Sequence, residues 1–169
     1  MNIKDELRYA FWMAFALFIW SVIEYAIGIQ TGAYFEYLPT SVTFSTLLVV
    51  GAGMYMAMKN TKAKTEASEL KYGTLAISGG IALVACAILS FGLTAVFYNF
   101  INTEWLSFMT DQNLALLEEP PSPERMAELK EGYAAHYSAG SMGMQTFSRI
   151  IMFGLILLFL EALIVLKIK

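Results

Sequence analysis

The sequence predicts an all-α, polytopic membrane protein: four transmembrane helices, with two short amphipathic helices in the last external loop. Three observations carry this. The 169 residues are 57% hydrophobic and only 15% charged, where globular domains run nearer 25% charged. The mean hydropathy is +0.57, and a soluble domain of this size could not hide so much apolar surface. The apolar residues also fall into four runs, each long enough for a hydrocarbon core. The composition argues against a soluble enzyme, a nucleic-acid binder and a disordered chain. A net charge of −3 and a pI of about 5.2 supply no basic field for nucleic acid.

The first run covers residues 9–29 and includes Phe11, Trp12, Phe15, Trp20 and Ile27, interrupted by Glu24. At 1.5 Å per residue it spans roughly 31 Å. A cleaved signal peptide has a shorter apolar region and a small-x-small cleavage site. This run is longer and rich in bulky aromatics, and residues 25–30 offer no A-x-A, so it reads as an uncleaved helix. The second run covers 40–58, with Pro39 at its mouth, a residue suited to a first helical turn. The third covers 72–101, roughly 45 Å as one helix, which must tilt, bend or protrude. The fourth covers 146–166, nearly unbroken apart from Glu161.

Lysine and arginine set the expected orientation. The loop 59–71 carries Lys59, Lys62, Lys64 and Lys71; the termini carry Lys4, Arg8, Lys167 and Lys169. The first loop, 30–38, has none, and the long third loop has only Arg125 and Lys130 against many acids. The positive-inside rule then places both termini and the lysine loop in the cytoplasm. The expected address is the inner membrane, multi-pass. Tyr34, Phe35, Tyr37, Tyr98 and Trp105 read as an outer aromatic belt.

The external loop, 102–145, is too long to be structureless. Asn102 or Thr103 can cap a first helix that places Trp105, Met109 and Leu116 on one face. Pro120 and Pro121 stop it. Ser122 then caps a second helix with Pro123 in its first turn and an apolar stripe of Met126, Leu129, Tyr133 and Tyr137. Residues 139–143 (Ala-Gly-Ser-Met-Gly) read as a flexible hinge into the fourth span.

Within the third span, Ser78, Ala82, Cys86, Ser90 and Thr94 recur every four residues. Small residues at this spacing let helix backbones approach in lipid, so the ladder is a candidate packing face. Gly51, Gly53 and Gly154 supply small residues on the second and fourth spans. A water path lined by Ser78, Ser90 and Thr94 is the sharper alternative. Cys86 reads as a small apolar residue with no chemistry.

Two carboxylates fall inside the spans. A charge at the bilayer centre costs at least about 2.5–3.5 kcal/mol, so such residues face protein or water and are candidates for function. Glu161 lies near the inner face, where it can reach the interface or a cytoplasmic lysine. Glu24 is the stronger candidate. Trp20, Glu24 and Gly28 stand at i, i+4 and i+8 and are expected to share a helix face, with Gly28 admitting a second backbone. Arg149, at the outer start of the fourth span, lies at a similar depth and is the expected charge partner. Trp20, Glu24, Gly28, Gln30 and Arg149 thus form the candidate intramembrane polar site. No catalytic residue, metal site or cofactor is expected. There is one cysteine, one histidine (His136), and no phosphate-binding, zinc-protease, nucleophile-elbow or dinucleotide motif. Met142 and Met144 do not make a copper site by themselves.

The run Trp20-x-x-x-Glu24-x-x-x-Gly28-Ile29-Gln30 resembles the W-x-x-x-E-x-x-x-G-[LI]-[HQ] first helix of small bacterial four-helix membrane proteins. These are grouped as domain of unknown function four-one-nine-nine. Leu70-Lys71-Tyr72-Gly73 is similar to that family's basic-aromatic-Gly opening of the third helix, and Phe100-Ile101-Asn102-Thr103-Glu104 resembles its F-I-N-P-[DE]. Gln30 stands where many members carry His, and Thr103 replaces the usual Pro. The resemblance implies the four-helix fold and the membrane address, and no reaction.

Two function classes follow. One is a non-enzymatic structural or partner-binding envelope protein. The other is a small transporter or channel subunit using Glu24. The bilayer itself is one partner; a second copy or another membrane protein is a further candidate.

Overall fold

The computed structural model describes residues 3–117 and 120–168. Among the described residues, six α-helices make up the fold: α1 (Ile3–Ala26), α2 (Leu38–Lys64), α3 (Tyr72–Phe100), α4 (Trp105–Ala115), α5 (Pro123–His136) and α6 (Ala139–Lys167). A 3-10 turn, Phe35–Tyr37, leads into α2. Four helices, α1, α2, α3 and α6, are long and apolar enough to cross a membrane, making this a multi-pass membrane protein. α1, α2 and α6 run beyond the apolar cores that reveal them, while α3 keeps the expected bounds to within one residue. α1 begins at Ile3 rather than at residue 9, and α2 continues to Lys64 rather than to residue 58.

α3 is the centre of the bundle. It packs most extensively against α6 and then α1, while α2 touches all three others. The reason is α3's composition. Ser78, Ala82 and Cys86 are fully buried and Ser90 nearly so, while Thr94 is half-buried and faces a cavity described below. Glycines mark the helix crossings. Gly79 lies against Met58 and Leu158, Gly53 against Met13, and Gly154 against Leu83. Gly143 is pressed onto α3 itself: a Cβ there would stand 2.9 Å from the Phe91 carbonyl oxygen. The large apolar side chains that these contacts leave outside, among them Phe11, Trp12, Ile88 and Phe159, are exposed on the bundle surface. Lipid stabilises such an arrangement and water does not.

The two ends of the bundle differ. At the lysine end, Lys62 donates to the carbonyls of Val165 (2.7 Å) and Leu166 (3.3 Å), capping the carboxyl end of α6. Lys64 pairs with Asp5 at 2.6 Å. At the other end α4 and α5 form a cap. Ser122 accepts from the Arg125 amide, as its position before Pro123 predicts. The stripe of Met126, Leu129, Tyr133 and Tyr137 is half-buried.

Several local expectations are corrected. The first cap helix has Glu104 as its N-cap, with no side-chain bond, because Asn102 turns its side chain into the bundle. Leu116 lies on the surface instead of on the buried face. Residues 139–143 are not a hinge. They are the first turns of α6, capped by Ser138, whose hydroxyl accepts from the Ser141 amide. Of the expected belt, Tyr34 and Tyr37 are exposed, but Phe35, Tyr98 and Trp105 pack on one another inside the capped end.

Candidate functional site: a buried carboxylate under the helical cap

Glu24 is 1% exposed near the carboxyl end of α1. Three donors hold its carboxylate. Trp20 Nε1 reaches Oε1 at 2.9 Å from one helical turn earlier. Ser41 Oγ, from the first turns of α2, donates to Oε1 at 2.5 Å. Gln30 Nε2 donates to Oε2 at 3.1 Å. Trp20 Nε1 also lies 3.1 Å from Ser41 Oγ, so the two donors on Oε1 brace each other.

The placement of Gln30 follows from how α1 ends. Gly28 has φ +81°, the left-handed region that glycine adopts without strain. Its amide bonds to the Tyr25 carbonyl at 3.1 Å, and the Ile29 amide bonds to the Glu24 carbonyl at 2.8 Å. This pair of bonds is a Schellman termination. It turns the chain back over the helix end and brings Gln30 onto the Glu24 carboxylate in the last turn. Gly28 therefore does not share the helical face of Trp20 and Glu24, as the i, i+8 spacing suggests. It ends the helix that carries them. Gln30, 2% exposed, continues the network: its Oε1 accepts from Asn102 Nδ2 at 3.1 Å and Tyr98 OH at 3.3 Å. One chain of hydrogen bonds thus links α1, α2, the end of α3 and the loop before α4.

This network forms one end of a cavity of about 290 Å³. Its walls are mainly apolar, from Leu17, Phe18, Val42, Leu93 and Phe97, and Trp105, Met109 and Tyr137 close it from the cap. Trp105 is held there by ring contacts to Tyr98 (5.3 Å) and Tyr137 (6.3 Å).

Arg149 lines the same cavity from α6, but it does not pair with Glu24. No ion pair joins them among the described residues. The depth estimate brings both to one cavity, and the three neutral donors take the carboxylate first. Arg149 Nη2 donates instead to Thr146 Oγ1 at 3.3 Å, and its Nε is buried without a partner among the described residues. Glu161 is half-buried away from the cavity, with Oε1 beside Gly51 and Oε2 without a partner among the described residues.

Sequence reasoning misses Ser41, Tyr98 and Asn102 as members of the network, because each arrives from a different segment. It also misses Glu6. This carboxylate, outside the expected span, is 1% exposed and accepts from Thr61 Oγ1 (2.9 Å) and Ser78 Oγ (3.0 Å). The available signal is its spacing: Glu6, Ala10 and Ala14 lie at i, i+4 and i+8 and are all buried. Among the described residues, no three His, Cys, Asp or Glu side chains gather as metal ligands would.

No curated protein and no solved structure matches this chain. A family model described as "Protein of unknown function (DUF4199)" matches residues 8–167. It spans all four long helices, the cap and every residue of the Glu24 network, so the chain belongs to the DUF4199 family.

Proposed function

We propose that this is a non-enzymatic protein of the bacterial inner membrane whose capped cavity binds a small molecule and reports it to a membrane partner. The carrying observation is the cavity itself: apolar walls with a fixed polar end, the usual composition of a small-molecule site. The non-enzymatic reading has its own support. Ser41, the hydroxyl against the Glu24 carboxylate, does not line the cavity, so the nearest nucleophile and base do not face a substrate together. Native mass spectrometry of the protein released from membranes should show a small-molecule adduct. Val42→Trp and Thr94→Leu, which fill the cavity from α2 and α3, should lose it while the protein stays folded. No adduct on the native chain, or an adduct kept by both variants, removes the reading.

The orientation belongs to the same proposal. With the lysine end in the cytoplasm, the cap and cavity lie on the outer side. Cysteines placed at Lys64 and at Glu128 in a Cys86→Ala background should report this with an impermeant thiol reagent on intact cells. Position 128 should label and 64 should not; the reverse overturns the orientation.

A proton-coupled transporter is the second reading, favoured by Glu6. It is a second buried carboxylate at the opposite end, bonded to the α3 face that also carries Ser90. Between the two carboxylates the bundle is filled by Met13, Met54, Ala82, Leu83 and Cys86, all nearly or fully buried. Transport would require that layer to open. A proton flux in liposomes lost in a folded Glu24→Gln variant would favour this reading.

A further inference from the structure

We propose that the cavity takes an apolar molecule ending in an acid group, a carboxylate or a phosphate, with the Arg149 guanidinium and the Trp105 indole N–H as its donors. This rests on the binding reading above and names its ligand class.

The hydrogen bonds of the cavity wall point to it. Glu24 accepts three donors, and Gln30 accepts two and donates one, so that end of the cavity is satisfied. Two buried donor atoms on the wall have no partner among the described residues: Arg149 Nε and Trp105 Nε1. Trp105 is 4% exposed, so bulk water does not meet its N–H. Among the described residues, the buried acceptors that lack a partner are Glu6 Oε2, Asn102 Oδ1 and Glu161 Oε2, and none of these residues lines the cavity. Among the described residues, the buried unpartnered side-chain atoms of the wall are therefore both donors. A buried donor without an acceptor is destabilising, and more so when it is charged. Both donors are satisfied by a ligand with acceptor oxygens, and the guanidinium favours an anionic one, which it can hold with two N–H groups. The rest of the wall asks for an apolar body.

Size and access narrow the class. About 290 Å³ is at the small end for ligand pockets, and suits one chain or one ring with its acid group. Arg149 also lines an open groove between α2 and α6, together with Thr43, Ser148 and Met152. The guanidinium thus stands at the wall between the cavity and the bundle surface. A membrane-dissolved acid can reach it sideways, and a water-soluble acid can reach it under the cap.

The test uses the full chain in dodecyl maltoside, with binding read by tryptophan emission and by thermal shift. The probes are decanoate and 3-phenylpropionate, each against its neutral alcohol, decanol and 3-phenylpropanol. At least one acid should bind about tenfold or more tightly than its alcohol, the scale of a charge-assisted hydrogen bond. Preference confined to decanoate assigns the membrane source, and preference confined to 3-phenylpropionate the aqueous one. Arg149→Gln should bring the acid-to-alcohol ratio to about one. Arg149→Lys should keep part of it, and Trp105→Phe should reduce it several-fold, so the idea stays testable if the Gln variant does not fold. Acids and alcohols binding equally would overturn the acid inference while leaving the binding reading intact. An undiminished acid preference in the folded Arg149 and Trp105 variants would do the same. No binding of any probe would overturn the acid inference, and the native adduct alone then decides the binding reading.

Discussion

Replacing Glu24 with Ala should cost about 3 kcal/mol of unfolding free energy in detergent. The carboxylate is the common acceptor of Trp20, Ser41 and Gln30. Once it is gone, Trp20 and Ser41 keep each other, but Gln30 Nε2 is stranded beneath the helix-ending turn. Each buried group left unsatisfied costs about 1–3 kcal/mol, and the lost side chain leaves a void in addition. Glu24→Gln should cost less, about 1–2 kcal/mol, through a conflict of donors. The new amide would face Gln30 Nε2, and Gln30 cannot flip without turning its own amide toward Tyr98 and Asn102. Coupling energies locate the interaction. A double-mutant cycle between Glu24 and Gln30 should give about 1 kcal/mol or more, and one between Glu24 and Arg149 less than about 0.5 kcal/mol. The opposite ranking would mean that the carboxylate is held by the guanidinium after all.

Gly143→Leu should be the most damaging change at a helix crossing, costing about 3 kcal/mol, the upper end of typical overpacking penalties. The obstacle to its first side-chain atom is the Phe91 carbonyl oxygen at 2.9 Å, with the Phe91 ring at 3.0 Å. A backbone oxygen cannot rotate away, so α6 must separate from α3, its most extensive partner. Gly154 offers a contrast. A Cβ there overlaps the Leu83 side chain, which Leu83→Ala removes, so Gly154→Ala should be partly rescued in the double variant. Gly140→Leu is the control, since nothing lies within 4 Å of a Cβ at that position. Equal melting of the Gly140 and Gly143 variants would show that α6 does not approach α3 so closely.

The long helices are legible in the sequence because a hydrocarbon core demands some 20 apolar residues in a row, and few other constraints write so long a run. Their ends are not, because beyond the core a helix needs only partners. Glu6 is buried by Thr61 and Ser78, neither of which is hydrophobic enough to mark a span. Glu24 and Arg149 stand out as charges in apolar surroundings, and depth counting brings both to one cavity. Whether they touch depends on rotation about two helix axes and on competing donors, which no linear spacing encodes. Gly28 shows the same limit. Its i, i+8 spacing from Trp20 assumes the helix continues, while its positive φ ends it. The glycines in 139–143 suggest flexibility by composition, yet Gly143 is there because α3 leaves no room for a side chain. The cavity is the least legible feature, since it is a void enclosed by five helices.

The central position of α3 has a consequence for biosynthesis. Its most extensive partner, α6, leaves the ribosome after it and after the cap, while α1, its next, leaves before it. The chain must therefore wait, with three helices inserted, for the one that covers the second side of α3. During that interval the groove awaiting Gly154 and Gly143, flanked by Leu83 and Phe91, faces lipid or a helper protein. Insertion and assembly are thus separate events in time. Stalled chains that end within the cap should be full residents of the bilayer yet early substrates for its quality-control proteases.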